Sequence, residues 1–309
     1  MKVFISVDME GVTGMTDPED VLWDGTDYAR GRVFMTGDAN AAILGAFDAG
    51  ADEVLVNDSH WTMRNLLLEQ LDPRARVIKG FHKPMCMVQG LDESFDAAVF
   101  VGYHSCAGTE AGVLNHTLVG KEVQNLLLNG DPIGETRLNA LIAGHFGVPV
   151  AFVAGDDTVC REAKGVLGDD LETFAVKDGI DMFAANCLHP DVAQKGIREG
   201  VKRALEGLSR REPYRMEPPY TFGFEWNSTT IASTCEYIPG VRKPRRSSRG
   251  RGRKRLPFRC LSASSSTTSS VPTSSSSASC MALTRRSAAL SGTGSLYMTC
   301  WRKSMLRPC

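Results

Sequence analysis

Residues 2–11 have the sequence KVFISVDMEG, a short apolar run that ends in two carboxylates. Its β-branched and aromatic residues indicate a buried strand over residues 2–7. Two comparable apolar runs end in NDSH at 57–60 and in GYH at 102–104. Longer stretches with helical spacing of apolar residues separate these runs, which is typical of βαβ units and a parallel sheet.

The remaining pattern predicts an α/β protein with a three-layer fold around a mainly parallel sheet. The predicted strands are 2–7, 53–57, 97–103, 121–128 and 148–154, and a strand-like pattern returns over 213–233. The predicted helices are 28–49, 135–146 and 191–208, with a short one near Leu66 and another from Thr158.

Composition excludes several classes of protein. The chain has 309 residues, 42% hydrophobic and 23% charged, which is ordinary for a globular protein with a full core. No apolar run approaches the roughly 18–20 residues of a membrane span, and the N-terminus lacks the features of a signal peptide. The nine cysteines lack CxxC spacing, so we expect reduced thiols and a cytoplasmic protein.

The net charge of -1 is the sum of large opposite charges in two parts of the chain. All 36 acidic residues precede residue 242, together with 20 of the 35 basic ones, so residues 1–241 carry -16 and residues 242–309 carry +15. The second part contains a basic run and a Ser/Thr tract without an apolar face, which predicts disorder. Binding to nucleic acid is not expected, because only charge supports it and no aromatic residues are interleaved.

Three predicted strands end in potential metal ligands. Asp8 and Glu10 share one face because side chains two apart in a strand do so, and His60 and His104 end the next two strands. Parallel sheets bind ligands beyond the carboxyl ends of their strands, so these tips should meet. An acidic pair at the end of a single strand more often lies in a solvated turn, and a single histidine there is more often an ordinary core or surface residue. The evidence for a metal site is that three separate strands all end in such residues. Glu135 at a predicted helix start adds a further carboxylate.

Carboxylates combined with histidines suit Zn²⁺, Mn²⁺ or Fe²⁺ better than Mg²⁺, which prefers oxygen ligands. A shared carboxylate could bridge two ions about 3.5–4 Å apart. His116 would be a nearby acid, base or electrostatic group that need not bind metal. Asp58 would either orient His60 or cap the following helix. Asp156 and Asp157 could face the same crevice, but we expect this pair to cap the helix from Thr158.

The motifs SVDMEG at 6–11, VNDSH at 56–60 and GYH at 102–104 resemble the zinc-dependent D-aminopeptidase family of the DppA type. NHT at 115–117, NGDPIGETRLNA at 129–140 and VPVAFVAGDD at 148–157 continue the resemblance in the same order. It extends from residue 1 to about residue 240. The motifs are specific because six of them recur with plausible spacing.

The resemblance implies a metallo-aminopeptidase with two Zn²⁺ ions per subunit, acting on short peptides of the D-Ala type. It assigns Asp8 as the bridging ligand, Glu10 and Glu135 to one ion, and His60 and His104 to the other. It gives His116 the catalytic role. It also implies a ring-shaped homo-oligomer, a decamer with its active sites facing an inner channel.

Residues 242–309 depart from the family, whose members continue with an acidic, apolar segment. The abrupt loss of acidic residues is typical of translation in a shifted reading frame, which is our leading hypothesis. The catalytic domain is then 1–241, without the family's last elements. Two other functions remain open on the residues alone. One is a binuclear metal hydrolase of another amide or a phosphoester, and the other is a non-enzymatic assembly or binding protein with a structural metal.

Overall fold

The computed structural model describes residues 1–242 and the backbone of residues 257–260. Its strands are β1 (Lys2–Val7), β2 (Glu53–Asp58), β3 (Arg76–Ile78), β4 (Ala97–Tyr103), β5 (Val123–Leu128), β6 (Asp131–Ile133), β7 (Val150–Asp156), β8 (Glu172–Asp181), β9 (Ala184–Cys187), β10 (Phe222–Trp226), β11 (Val241–Arg242) and β12 (Pro257–Cys260). Its α-helices are α1 (Pro18–Val21), α2 (Tyr28–Asp48), α3 (Glu135–His145), α4 (Asp157–Leu167), α5 (Pro190–Glu206) and α6 (Thr229–Cys235). Short 3₁₀ helices lie at Leu68–Gln70, Cys86–Val88 and Leu208–Arg210.

The central sheet has the strand order β3-β2-β1-β4-β7-β8-β9. All its neighbours pair in parallel except β8 and β9, which form an antiparallel hairpin. The three strands that end in candidate ligands, β2, β1 and β4, are direct neighbours in this order. The predicted α/β class with a mainly parallel sheet is therefore confirmed.

Helices cover both faces of the sheet and form the outer layers. Strand β4 is buried along its whole length, with Val99 and Val101 in the core on one face and Phe100 and Tyr103 in the core on the other. Helices α2 and α5 pack on the first face and α3 and α4 on the second. This burial on both sides explains why the strand has a continuous apolar sequence rather than an alternating one.

A second, antiparallel sheet has the order β11-β12-β10-β5-β6. Asn129 and Gly130 join β5 to β6 with positive φ values of 54° and 99°, as in the type I′ turns of two-residue hairpins. The hairpin leads directly into Glu135, the first residue of α3. It thereby carries this carboxylate to the edge of the main sheet.

The sequence analysis predicted one segment wrongly and missed several elements, among them α1, β3 and β6. The strand-like pattern over 213–233 contains a strand only at β10, and it ends in helix α6, which Ser228 caps by accepting from the Ile231 backbone amide. The β8–β9 hairpin was not predicted. Residues 257–260 of the tail form strand β12, which pairs with β10, so the prediction of disorder is wrong for this segment. Most of the rest of 242–309 lies outside the described residues, and the disorder and frameshift hypotheses for it stay predictions. None of the described helices is long and apolar enough to cross a bilayer.

Two glycines let the tips of β1 and β4 approach closely. A Cβ on Gly11 would overlap the carbonyl oxygen of Tyr103, and a Cβ on Gly102 would overlap that of Asp8. Gly102 also has a φ of +71°, where other residues are strained. The backbone amide of Gly11 donates to the Gly102 carbonyl at 2.8 Å. The glycines of the DMEG and GYH motifs therefore set the spacing of the strand tips.

Gly11→Ala should destabilise the protein by about 1–3 kcal/mol or more, because backbone atoms of β4 cannot move aside for the added methyl. Gly165→Ala is the matched control: it adds the same methyl in the interior of α4, where nothing lies within 4 Å. This control should be neutral or stabilising by up to about 1 kcal/mol. Urea unfolding of both variants measures the difference, and equal midpoints would contradict the steric argument.

Candidate metal centre

The structure brings the predicted side chains together at the carboxyl edge of the main sheet. Asp8, Glu10, His60, His104 and Glu135 are all buried, with at most 6% of each residue exposed. Their ligand atoms form groups of three that lie within 4.8 Å of one another. The groups are Asp8, Glu10 and His60; Asp8, His104 and Glu135; and Glu10, His104 and His116.

The first two groups share Asp8 and pair each remaining carboxylate with one histidine. The His60 Nδ1 lies 2.9 Å from the Glu10 Oε2, and the His104 Nε2 lies 3.5 Å from the Glu135 Oε2. The resemblance implied a different division, with both glutamates on one ion and both histidines on the other. The positions of the side chains favour mixed pairs instead.

Backbone carbonyls set the orientation of the two buried imidazoles. The His60 Nε2 lies 2.8 Å from the Val21 carbonyl, and the His104 Nδ1 lies 3.1 Å from the Ser105 carbonyl. A carbonyl only accepts, so each of these nitrogens carries a proton. In the neutral ring the other nitrogen then directs its lone pair at the carboxylates. Histidines that bind metal commonly donate their second N–H to a carbonyl in this way.

Two buried atoms of the cluster have no hydrogen-bond partner within the described part of the chain: the Asp8 Oδ2 and the His104 Nε2. They lie 3.6 Å apart. Buried polar atoms without partners are costly and rare, and a cation placed between them would satisfy both. Imidazole nitrogens with carboxylate oxygens are also the donors that zinc accepts. The residues present therefore fit a metal ion.

His116 lies at the open side of this cluster. Its ring stacks on that of His104 with the centroids 4.0 Å apart, and its side chain is 24% exposed. The Nδ1 donates to the Leu114 carbonyl at 2.8 Å, which leaves the Nε2 as the acceptor in the neutral ring. That Nε2 lies 3.8 Å from the Glu10 Oε1. His116 is therefore the most exposed side chain of the cluster.

Burial and close charges shift the pKa values of these groups in opposite directions. Burial, reinforced by Glu10, raises the pKa of Asp8 to about 8. Burial also opposes ionisation of Glu10, but His60 outweighs it and holds the Glu10 pKa well below its usual value. Burial opposes protonation of the two buried imidazoles, but the neighbouring carboxylates outweigh it. Glu10 raises the pKa of His60 well above its usual value, and Glu135 raises the pKa of His104 well above its usual value. Protons thus neutralise the metal-free cluster, and a cation would displace them.

His116 differs from the other two histidines because its pKa is lowered. Burial lowers the pKa of this imidazole, and the neighbouring His104 adds to the effect. The ring is therefore neutral at neutral pH and can accept a proton at its Nε2.

Asp58 has a role that neither prediction for it anticipated. Its carboxylate accepts from the backbone amides of Asn65 and Leu66 at 2.6 and 2.8 Å, and the Asn65 side chain bridges it to the His60 carbonyl. It thereby holds the loop that carries His60, whereas the Val21 carbonyl orients the His60 ring. Asp156 caps α4 by accepting from the Val159 amide at 2.7 Å, as predicted.

Lys177 in β8 is the supporting residue that the sequence analysis missed. Its side chain is fully buried, and its ammonium donates to the carbonyls of Glu10, Val12 and Met15 at 2.5–2.9 Å. It therefore holds the loop that follows Asp8 and Glu10. A lysine inside the otherwise apolar run TFAVK was the available signal, because lysine is almost never fully buried without partners.

Comparison with known proteins agrees with this geometry. A family model described as D-aminopeptidase matches residues 1–249. A D-aminopeptidase of Bacillus subtilis (strain 168) is 43% identical over 241 residues, which cover 78% of this chain and 87% of that protein. A solved structure is described as the Zn-dependent D-aminopeptidase DppA from Bacillus subtilis, a self-compartmentalizing protease. It matches with a TM-score of 0.78 and 36% identity, over 85% of this chain and 92% of its own.

Lys177→Met should destabilise the protein by about 2 kcal/mol or more, because three buried carbonyls lose their donor. Lys202→Met is the control, since Lys202 is a half-exposed residue of α5 that forms a surface pair with Glu206. Its loss should stay within about 0.5 kcal/mol. Urea unfolding compares the two variants. Equal stability would show that the three contacts of Lys177 contribute no net stabilisation.

Proposed function

The chain belongs to the D-aminopeptidase family, a family of zinc peptidases, and from this membership we propose that it removes the N-terminal residue of short peptides with two zinc ions. We propose D-alanyl peptides as the preferred substrates. The observation that carries the proposal is the pair of three-residue ligand groups that share the buried carboxylate of Asp8. A single structural metal would not need a second set of this kind.

In this proposal one zinc ion is held by Asp8, Glu10 and His60, and the other by Asp8, His104 and Glu135. Asp8 would be shared by both ions, since its Oδ1 faces His60 and its Oδ2 faces His104. When bound, zinc supplies Lewis-acid activation of water and of the scissile carbonyl. Three protein ligands on each ion leave room for further ligands, as a catalytic site requires.

His116 is the proposed acid and base of the reaction. Its Leu114 contact keeps the proton on Nδ1 and leaves Nε2 free to take a proton from the attacking water. The same nitrogen can return that proton to the amine of the leaving peptide. Its stacking against His104 supports a position beside the proposed ligands.

Membership of a peptidase family favours this function over a phosphoesterase or a purely structural metal protein. We further propose that subunits assemble into a ring-shaped decamer, as the family resemblance implies, and the self-compartmentalizing relative supports an assembly of this kind. Such an enclosure would restrict substrates to short peptides. A cytoplasmic location stays a prediction, which the free thiols of the five described cysteines support. The boundary of the catalytic domain at residue 241 also stays a prediction.

The experiment that tests the function measures zinc content and hydrolysis on one preparation of the full chain. We expect about two zinc equivalents per subunit and cleavage of D-Ala-D-Ala in preference to L-Ala-L-Ala. Bound zinc with no cleavage of either dipeptide would point to another substrate. Folded protein that binds no zinc would overturn the proposal.

His60→Ala and His104→Ala should each lower zinc binding and activity together, by more than about 100-fold, which exceeds the usual effect of an outer partner of a ligand. His145→Ala is the matched control, because His145 is an exposed histidine at the end of α3. Elemental analysis and dipeptide hydrolysis measure both properties. Full zinc content in either buried variant would remove that histidine from the proposed ligands.

His116→Ala should separate the two properties. We expect kcat to fall about 10²–10⁴-fold, the usual contribution of a positioned acid or base, while zinc content stays at the wild-type value. Zinc titration and steady-state kinetics on the same sample test this. Loss of zinc in this variant would make His116 a ligand rather than a proton carrier.

A further inference from the structure

A buried hydrogen-bond network lies beneath the candidate ligands. Its side chains come from every element that supplies one of them: Ser6 from β1, Asn57 and Ser59 from the end of β2, Tyr103 from β4 and Asn139 from α3. All five residues are at most 5% exposed. No part of the proposed chemistry uses this network.

Ser6 and Tyr103 lie at its centre. The Ser6 Oγ is 2.7 Å from both the Ser59 Oγ and the Tyr103 hydroxyl, and 2.8 Å from the Met87 carbonyl. Asn139 donates its side-chain amide to the Tyr103 oxygen at 3.0 Å. Asn57 donates to the Ser59 Oγ at 2.9 Å and to the Met87 carbonyl at 2.7 Å.

These groups form one connected chain of hydrogen bonds. The Met87 carbonyl only accepts, so when Ser6 directs its one proton at it, the Tyr103 hydroxyl donates to the Ser6 Oγ and accepts from Asn139. The chain runs from α3 through β4 and β1 to the loop at Met87. Without the Tyr103 hydroxyl, β1 and α3 would lose their connection through β4.

Each network residue lies one to four positions from a candidate ligand along the chain. Ser6 is two residues before Asp8 on one strand face, Ser59 directly precedes His60, Tyr103 directly precedes His104, and Asn139 follows Glu135 by about one helical turn. A displacement of one of these network residues would therefore also displace the neighbouring ligand. The Tyr103 ring is itself fixed by stacking on Phe100, with centroids 4.7 Å apart.

We propose that the Tyr103 hydroxyl is a positioning group that sets the mutual placement of the four ligand-bearing elements, and thereby the zinc affinity and the turnover of the enzyme. The inference rests on the proposed zinc function. Groups that orient ligands in this way typically contribute 10–100-fold to metal affinity or activity. Their effect differs from that of an ordinary buried hydrogen bond, which contributes to stability alone.

Tyr103→Phe in the full chain tests the proposal, because it removes the hydroxyl and keeps the stacked ring. We expect the zinc dissociation constant, measured by competition with a chromophoric chelator, to rise about 10–100-fold. At saturating zinc, kcat should fall while KM changes less than about twofold, since the ligands rather than the substrate contacts are displaced. Tyr220→Phe is the matched control. It removes a hydroxyl that donates to the Met216 carbonyl outside the network, and both constants should stay at their wild-type values.

Ser6→Ala provides a second test that does not depend on the folding of the first variant. It should raise the zinc dissociation constant in the same way. The double variant should show less than the product of the two single effects, because both remove one connected chain. Wild-type zinc affinity and kcat in Tyr103→Phe and Ser6→Ala, with lowered thermal stability only, would overturn the positioning role alone. Wild-type protein that binds no zinc would overturn the proposed function as well.

Discussion

Three carboxylates, those of Asp8, Glu10 and Glu135, are buried side by side, and the architecture of the site follows from the need to neutralise them. Ionised carboxylates away from water are costly unless they are paired. Within the described residues their ion-pair contacts are with His60, His104 and His116 only. Because backbone carbonyls hold the outer N–H of each imidazole, a neutral ring directs a lone pair at the carboxylates. Protons or a cation must then supply the compensating charge, which couples metal binding to neutralisation.

Such a cluster is useful only if its members keep their positions when the charge changes. The scaffold provides this in three ways that do not involve the ligands themselves. Gly11 and Gly102 allow the tips of β1 and β4 to touch through their backbones. Lys177 fastens the carbonyls of the loop that contains Glu10. The buried hydroxyl and amide network joins the strands to α3. Since all three act on the backbone or on neighbouring residues, the ligand atoms stay available for metal.

The sequence predicted the strand tips well because their signals are local. A run such as KVFISVD indicates both a buried strand and the face on which its last carboxylate lies. Parallel pairing then brings separate tips to one edge. Lys177 could not be assigned in the same way, since its partners lie more than 160 residues earlier and depend on the position of β8 in the sheet. The β8–β9 hairpin gave a weak signal because its tip exposes Ile180 and Phe183, which blurs the alternation of apolar and polar residues. The proposed division of ligands between two ions depends on side-chain placement, which the sequence pattern does not show.

The order of the elements along the chain explains how the site could persist despite the unusual C-terminal sequence. Every candidate ligand and the proposed proton carrier precede residue 136, and the supporting lysine is in β8. The C-terminal elements approach the site indirectly: β10 pairs with β5, β5 pairs with β6, and β6 leads into Glu135. A defect in this second sheet would therefore act first on Glu135 and on the ion proposed to lie between it and His104. The group of Asp8, Glu10 and His60 depends on β1 and β2, so the ion proposed there should be the less sensitive of the two.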